Sequence, residues 1–223
     1  MSAPHGPRDT GGVACSRPDP EGARVARQRA TTTADIIEAA ARVFQTKGYR
    51  SSTIDDICLE AGISRPTIYK YIESKLWLLD QMVAHVTEEL SEKLQDLLTS
   101  NLSPREKIRA VVKLHIESAS SKRVFYATVW GEQPELSELA LQSFRSWSHT
   151  VTRDFAELLD DYRKSERLEP KADGTVLANL TLTMLTSLFR WYDPLGSTTP
   201  EDLAHQVLVM LSGPLPAIDQ DGA

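Results

Sequence analysis

From Thr33 onward, apolar residues fall three and four positions apart. Ile36, Ile37, Ala40, Val43 and Phe44 make one stripe of an amphipathic helix. Lys47 and Gly48 close it, a cation in the last turn followed by a residue free to turn left-handed. Thr53-Ile-Asp-Asp56 has the form of an N-cap with an acid at N3 and opens a short helix to about Ala61, where Gly62 breaks the chain. Ser64-Arg-Pro-Thr67 opens a third short helix that ends around Tyr71, with Pro66 in the first turn where its missing N–H costs nothing. A longer stripe, Leu76, Leu79, Val83, Val86, Leu90, Leu94 and Leu97, predicts a helix from near Ser74 to the interruption at Asn101-Leu102. Ser103-Pro-Arg-Glu106 is a capping box with proline at N1, and the helix behind it carries Ile108, Val111, Val112, His115 and Ile116.

Gly131 and Pro134 bracket the next break. A long helix is expected from about Ser137 to Glu166 and another from about Asp173 to Tyr192. Thr199-Pro-Glu-Asp202 caps the last, which stops at Gly213-Pro214. No run alternates as a strand does, and no segment repeats. The predicted fold class is all-α.

Composition divides the chain further. The first 28 residues are rich in Pro, Gly, Ser and Arg without apolar period and read as a disordered arm; the segment 215–223 reads as a disordered tail. Arg24, Arg27 and Arg29 at the end of the arm are either a solvated tail or a grip on nucleic acid. Net charge is −6, but unevenly spread: residues 1–75 carry 11 Lys and Arg against 9 Asp and Glu, the remainder 14 against 22. A mildly basic front joined to an acidic remainder suggests two modules with different partners. With only Cys15 and Cys58, a disulfide framework and a four-cysteine zinc site are excluded. No apolar run is long enough for a membrane span, and the first 30 residues lack a signal-type apolar core, so a cytoplasmic chain is expected.

The chemistry concentrates in the first three helices, of which the second and third are short. Two of them joined by Ala61-Gly62-Ile63 make a helix-turn-helix pattern, with Ile57, Ile63 and Ile68 facing inward. The third carries Arg65, Thr67, Tyr69 and Lys70, donors suited to phosphates and base edges. Residues 29–79 resemble the DNA-binding domain of TetR-family transcriptional regulators. The match runs through Ile37-x-x-Ala40-Ala41-x-x-Phe44, Gly48-Tyr49, Thr53-x-x-x-Ile57, Ala61-Gly62-Ile63-Ser64 and Thr67-Ile68-Tyr69 to Ser74-Lys75. It departs from the family where Lys70 is followed by Tyr71-Ile72 instead of His-Phe. The resemblance implies a helix-turn-helix domain over 29–75, followed at 76–214 by a helical bundle for ligand binding and dimerisation.

It also implies roles. Thr53 caps the second helix near a phosphate, Tyr69 and Lys75 hold the DNA backbone, and Arg65, Pro66, Thr67, Lys70 and Tyr71 face the major groove, with Ser64 at the helix start. A lysine at a helix N-terminus opposes the dipole and calls for an anion, here a phosphate. The expected partner is double-stranded DNA with a palindromic operator, bound by a homodimer whose seam is built from the helices at 137–166 and 173–192.

The segment Arg190-Trp191-Tyr192-Asp193-Pro194-x-Gly196 resembles TetR-family regulators of fatty-acid and steroid catabolism, which implies a small apolar effector of the acyl-CoA thioester class. Candidate pocket residues are His115, Tyr126, Trp130, Trp147, Asn179, Thr183, Arg190 and Trp191. Two readings compete: a multidrug-sensing repressor of efflux genes, and a helical dimer that acts through protein partners without DNA. The five histidines have no metal-ligand spacing and no nucleophile or phosphate loop is present, so neither a catalytic residue, a metal nor a cofactor is expected.

Overall fold

The structure is a computed structural model that describes residues 32–219. The arm with its arginines, the first residues of the helix-turn-helix domain and the last four positions lie outside the described residues. The described residues form nine α-helices and two 3₁₀ turns, without a strand. They are α1 (Thr33–Lys47), α2 (Ile54–Ala61), α3 (Arg65–Ile68), α4 (Lys75–Thr99), α5 (Pro104–Ser121), α6 (Arg123–Gly131), α7 (Glu138–Ser165), α8 (Gly174–Thr186) and α9 (Pro200–Leu211). The 3₁₀ turns are Gln133–Glu135 and Ser187–Arg190.

Four helices start with reciprocal capping boxes, Thr32 with Asp35, Thr53 with Asp56, Ser103 with Glu106 and Thr199 with Asp202. Each satisfies two groups that would otherwise be orphaned at a helix end, which is why these starts are sharp. Gly48 and Gly62 close α1 and α2 with positive φ of 78° and 68°, a conformation that costs a residue with a Cβ.

α1, α2 and α3 close over Ile36, Ala40, Phe44, Ile57, Ile63 and Ile68, all buried. α4 leaves this unit and runs along the second, packing on α5, α6 and α7. The centre of the second unit is α5, which touches α4, α6, α7, α8 and α9 and buries Ile108, Val112 and Ile116 completely.

Four expectations need correction. α3 is regular only to Ile68; beyond it Lys70 and Tyr71 donate to carbonyls three residues back, so the chain reaches Ile72 in a tightened turn. The helix that starts at Ser103 breaks at Lys122 into α5 and α6 with no glycine or proline at the break. Ser120 and Ser121 each turn a hydroxyl back to the carbonyl four residues earlier, a competition that weakens the helix there. α8 ends at Thr186, six residues short of Tyr192, and passes into the second 3₁₀ turn. Finally, residues 215–219 are not a loose tail. Leu215 and Ile218 are fully buried, and the Tyr162 hydroxyl donates to the Pro216 carbonyl at 2.6 Å.

Candidate functional site

The first candidate surface is the outer side of α2, α3 and the turn after them. Ile68 is wholly buried, which anchors the four-residue α3 and turns Ser64, Arg65, Pro66, Tyr69 and Lys70 to solvent. Thr67 is half-buried, its hydroxyl 2.7 Å from that of Ser64. Tyr69 is 48% exposed, so it is not a packing residue of the bundle. Tyr71 differs from the expectation: it is half-buried and packs against the core, because the tightened turn swings it beneath the helix end.

Arg65 and Asp56 on this face already have partners. The Arg65 guanidinium donates to both oxygens of Asp55, at 2.9 and 3.1 Å. Thr53 accepts from the Asp56 N–H and donates to the Asp56 carboxylate, which Lys47 also meets. Those donors hold the Asp56 carboxyl down to about 2.

Lys75 is half-buried at the first position of α4 and donates to the carbonyls of Tyr49 (2.7 Å) and Ser52 (2.9 Å), with its ammonium 4.3 Å from the centre of the Tyr49 ring. Contrary to expectation, this lysine therefore does not require a phosphate at its position. Two carbonyls and an aromatic face offset its unfavourable position at the helix start.

The same α1–α2 loop is tied to the second unit. The Tyr49 N–H donates to Glu132 at 3.1 Å, and Arg50 Nε donates to Glu135 at 2.9 Å. Glu132 directly follows α6, which carries Trp130, and Glu135 ends the 3₁₀ turn after it. Sequence reasoning missed this tie, since nothing local marks two glutamates as partners of residues more than 80 positions away.

The second candidate is a cleft of about 270 Å³ framed by α5, α6, α7, α8 and the second 3₁₀ turn. His115, Trp130, Trp147, Asn179, Thr183 and Arg190 line it, together with Phe144, Ser148, Val151, Leu182 and Phe189, which sequence reasoning did not single out. Two expected residues are not brought there. Tyr126 stands behind Trp130, stacked on it at 5.1 Å between ring centres and hydrogen-bonded to Ser118. Trp191 is 62% exposed, because α8 ends early and the 3₁₀ turn rotates it outward.

Inside the cleft, His115 is buried and its Nδ1 meets the Val111 carbonyl at 2.9 Å; burial lowers the imidazole's pKa and keeps it neutral. Arg190 is exposed at the mouth, 5.5 Å from the centre of the Phe189 ring. The described residues contain no group of three His, Cys, Asp or Glu that could hold a metal, and no helix long and apolar enough to cross a membrane.

A compact helix-turn-helix with an exposed basic edge, carried on a separate helical bundle, defines a DNA-binding regulator. Comparison with known proteins is specific. Residues 36–82 match the family described as bacterial regulatory proteins, tetR family, and residues 101–214 match the tetracyclin repressor-like C-terminal domain. The chain belongs to the TetR family of transcriptional regulators, which are not enzymes. It is 24% identical over 184 residues to the HTH-type transcriptional repressor KstR2 of Rhodococcus jostii (strain RHA1), covering 80% of this chain and 89% of that one. The structure of the ketosteroid regulator KstR2 of Mycobacterium tuberculosis superposes with a TM-score of 0.74 at 21% identity, over 85% of this chain and 97% of that one. AibR, crystallised with isovaleryl coenzyme A and operator DNA, superposes with a TM-score of 0.69 at 20% identity, over 82% and 98%.

Proposed function

We propose that this protein is a homodimeric repressor of the TetR family that leaves a palindromic operator when a small apolar effector, an acyl-CoA thioester, enters the cleft of residues 76–214. The observation that carries the reading is the aromatic-walled cleft with one basic residue, Arg190, at its mouth. At about 270 Å³ it lies just under the usual range for small-molecule sites, which favours a short acyl group inside and the coenzyme's phosphates outside, near Arg190. Two comparisons add support: a solved neighbour holds isovaleryl coenzyme A, and relatives are named as repressors.

On the DNA side, residues 29–75 form the reading unit. Arg65, Thr67 and Lys70 read bases, Ser64 and Pro66 set the helix start, Tyr69 holds the backbone, and Thr53 presents its cap beside a phosphate. Tyr71 and Lys75 act from beneath: one packs the helix end, the other braces the α1–α2 loop. The dimer seam runs along α8 and α9. Their solvent sides carry Val176, Leu180, Val209 and Met210, whereas the exposed side of α7 is polar apart from Leu139. This departs from a seam of α7 and α8.

Release follows from the tie between units. A ligand that displaces Trp130 shifts the end of α6, and with it Glu132 and Glu135, which hold Tyr49 and Arg50 in the loop before α2. A hundredfold loss of operator affinity needs about 2.7 kcal/mol of preference for the released conformation. The test is to titrate isovaleryl and longer acyl-CoAs into the complex with a labelled fragment of the protein's own upstream DNA. Thioester-dependent loss of anisotropy is expected. Stabilisation by cationic or aromatic drugs but by no thioester would favour the multidrug reading, and no DNA binding at all would favour the protein-interaction reading.

A further inference from the structure

A second, smaller cavity lies behind the cleft. It occupies about 80 Å³ between α4, α5 and α7, walled by Leu94, Leu98, Val111 and Phe155, with Gln95, Thr150 and Asp154 along its solvent edge. Trp147 and Val151 line both spaces, so the α7 face that carries them is the partition. Across from it, α5 presents Val111 to the inner space and His115, one turn on, to the outer one.

The partition is held by a single polar contact. Trp147 Nε1 donates to Ser91 Oγ at 2.9 Å, and the Ser91 hydroxyl donates to the Thr87 carbonyl at 2.6 Å. The serine thus uses its only proton on its own helix and offers a lone pair to the indole, which fixes the ring as a wall. The wall is half-buried, and its nearest aromatic neighbour, Phe144, lies 5.7 Å away between ring centres. One hydrogen bond is a modest restraint on a side chain with open space on both faces.

We propose that Trp147 is a movable partition that sets the length of the apolar tail this protein accepts: a short acyl group stops at the indole, and a longer one enters the inner chamber only when the Trp147–Ser91 bond opens. The inner space is about half the size of an engineered apolar cavity of about 150 Å³ that takes benzene, so it has room for the end of an alkyl chain. This rests on the effector reading above and adds which residue grades the effector.

The experiment measures binding of straight-chain acyl-CoAs, from butanoyl to dodecanoyl, to the full chain by calorimetry. In the wild type, affinity is expected to rise about fourfold per methylene, the equivalent of burying one CH₂, and then to stop rising. In Trp147→Ala the rise continues for at least two further carbons, and the double variant Trp147→Ala/Leu98→Phe, which refills the inner chamber, restores the earlier limit. Ser91→Ala, which keeps every wall and removes only the indole's acceptor, strengthens chains just beyond the limit several-fold and leaves butanoyl-CoA unchanged; it serves alone if Trp147→Ala does not fold. The same limit in the wild type and all variants overturns the partition while leaving the effector class standing. Failure of every thioester to bind any of the proteins removes both.

Discussion

The two units of this chain are built on opposite economies of space. Around α1, α2 and α3 the helices close over buried isoleucines, α1 and α2 start with capping boxes, and three surface cations are paired: Arg42 with Glu60, Lys47 with Asp56, Arg65 with Asp55. Around α5 the helices leave space unfilled, including one cleft of about 270 Å³ and one of about 80 Å³. A reading surface must be rigid before its partner arrives, so it is packed tightly and decorated outward. A sensing unit must admit something, so its packing is incomplete, and incomplete packing leaves its conformation easier to shift.

The sharpest way to break this comparison is to open a hole in the tight unit. Ile68→Ala is expected to cost about 2–5 kcal/mol, since Ile68 is fully buried and its helix has only four residues to compensate. Thermal unfolding should show the loss, and DNA binding should weaken with it. A cost below about 1 kcal/mol would mean that the unit is no more tightly packed than the bundle.

Lys75→Met comes next. It leaves the Ser52 carbonyl without its donor and takes one donor from the Tyr49 carbonyl, which Ser52 still serves, and a loss of about 1–3 kcal/mol is expected without DNA present. A lysine that only waits for a phosphate would leave the melting temperature unmoved.

Acid titration sharpens the contrast in the bundle. Burial lowers the pKa of His115 and of His85, so between pH 6.5 and those lowered values the unfolded chain takes up protons that the folded chain refuses. Stability therefore falls as pH drops below about 6.5, by at most about 1.4 kcal/mol per pH unit for the buried His115 and by less for His85, whose exposure to solvent screens it. His115→Gln should flatten this slope while His85 keeps its share. Below about pH 4 a second loss sets in, because Asp56 and Glu89 are held down to about 2, each by a lysine, and the stability they add above their unfolded values disappears as pH falls toward 2.

The smallest effect is expected at Asp55. Asp55→Asn removes a carboxylate from the reading face and releases Arg65 from an exposed pair that adds little to folding. Operator affinity should rise about two- to fivefold at low salt and converge with the wild type as salt increases. No change in affinity would mean that Arg65 stays on its own protein in the complex.

The helix-turn-helix was readable because its determinants are local. A capping box spans four residues, a left-handed glycine acts at one position, and the Ile57, Ile63 and Ile68 inward face repeats within a dozen. The break at Lys122 is marked locally only by the serine run before it, a weaker signal than the glycine or proline that usually ends a helix. Six of the eight expected cleft residues do line the cleft, since aromatic and polar residues on apolar faces are what such walls use.

By itself, then, the order of residues determined the all-α class, the helix starts and the outward basic edge, because each depends on neighbours within a turn or two. Only the tertiary structure decided that Lys75 braces a loop, that Glu132 and Glu135 join the two units, that Trp191 points away from the cleft, and that Trp147 stands between two chambers. Those outcomes turn on the angles at which distant helices meet and on the volume left between them, and no local pattern encodes an empty space.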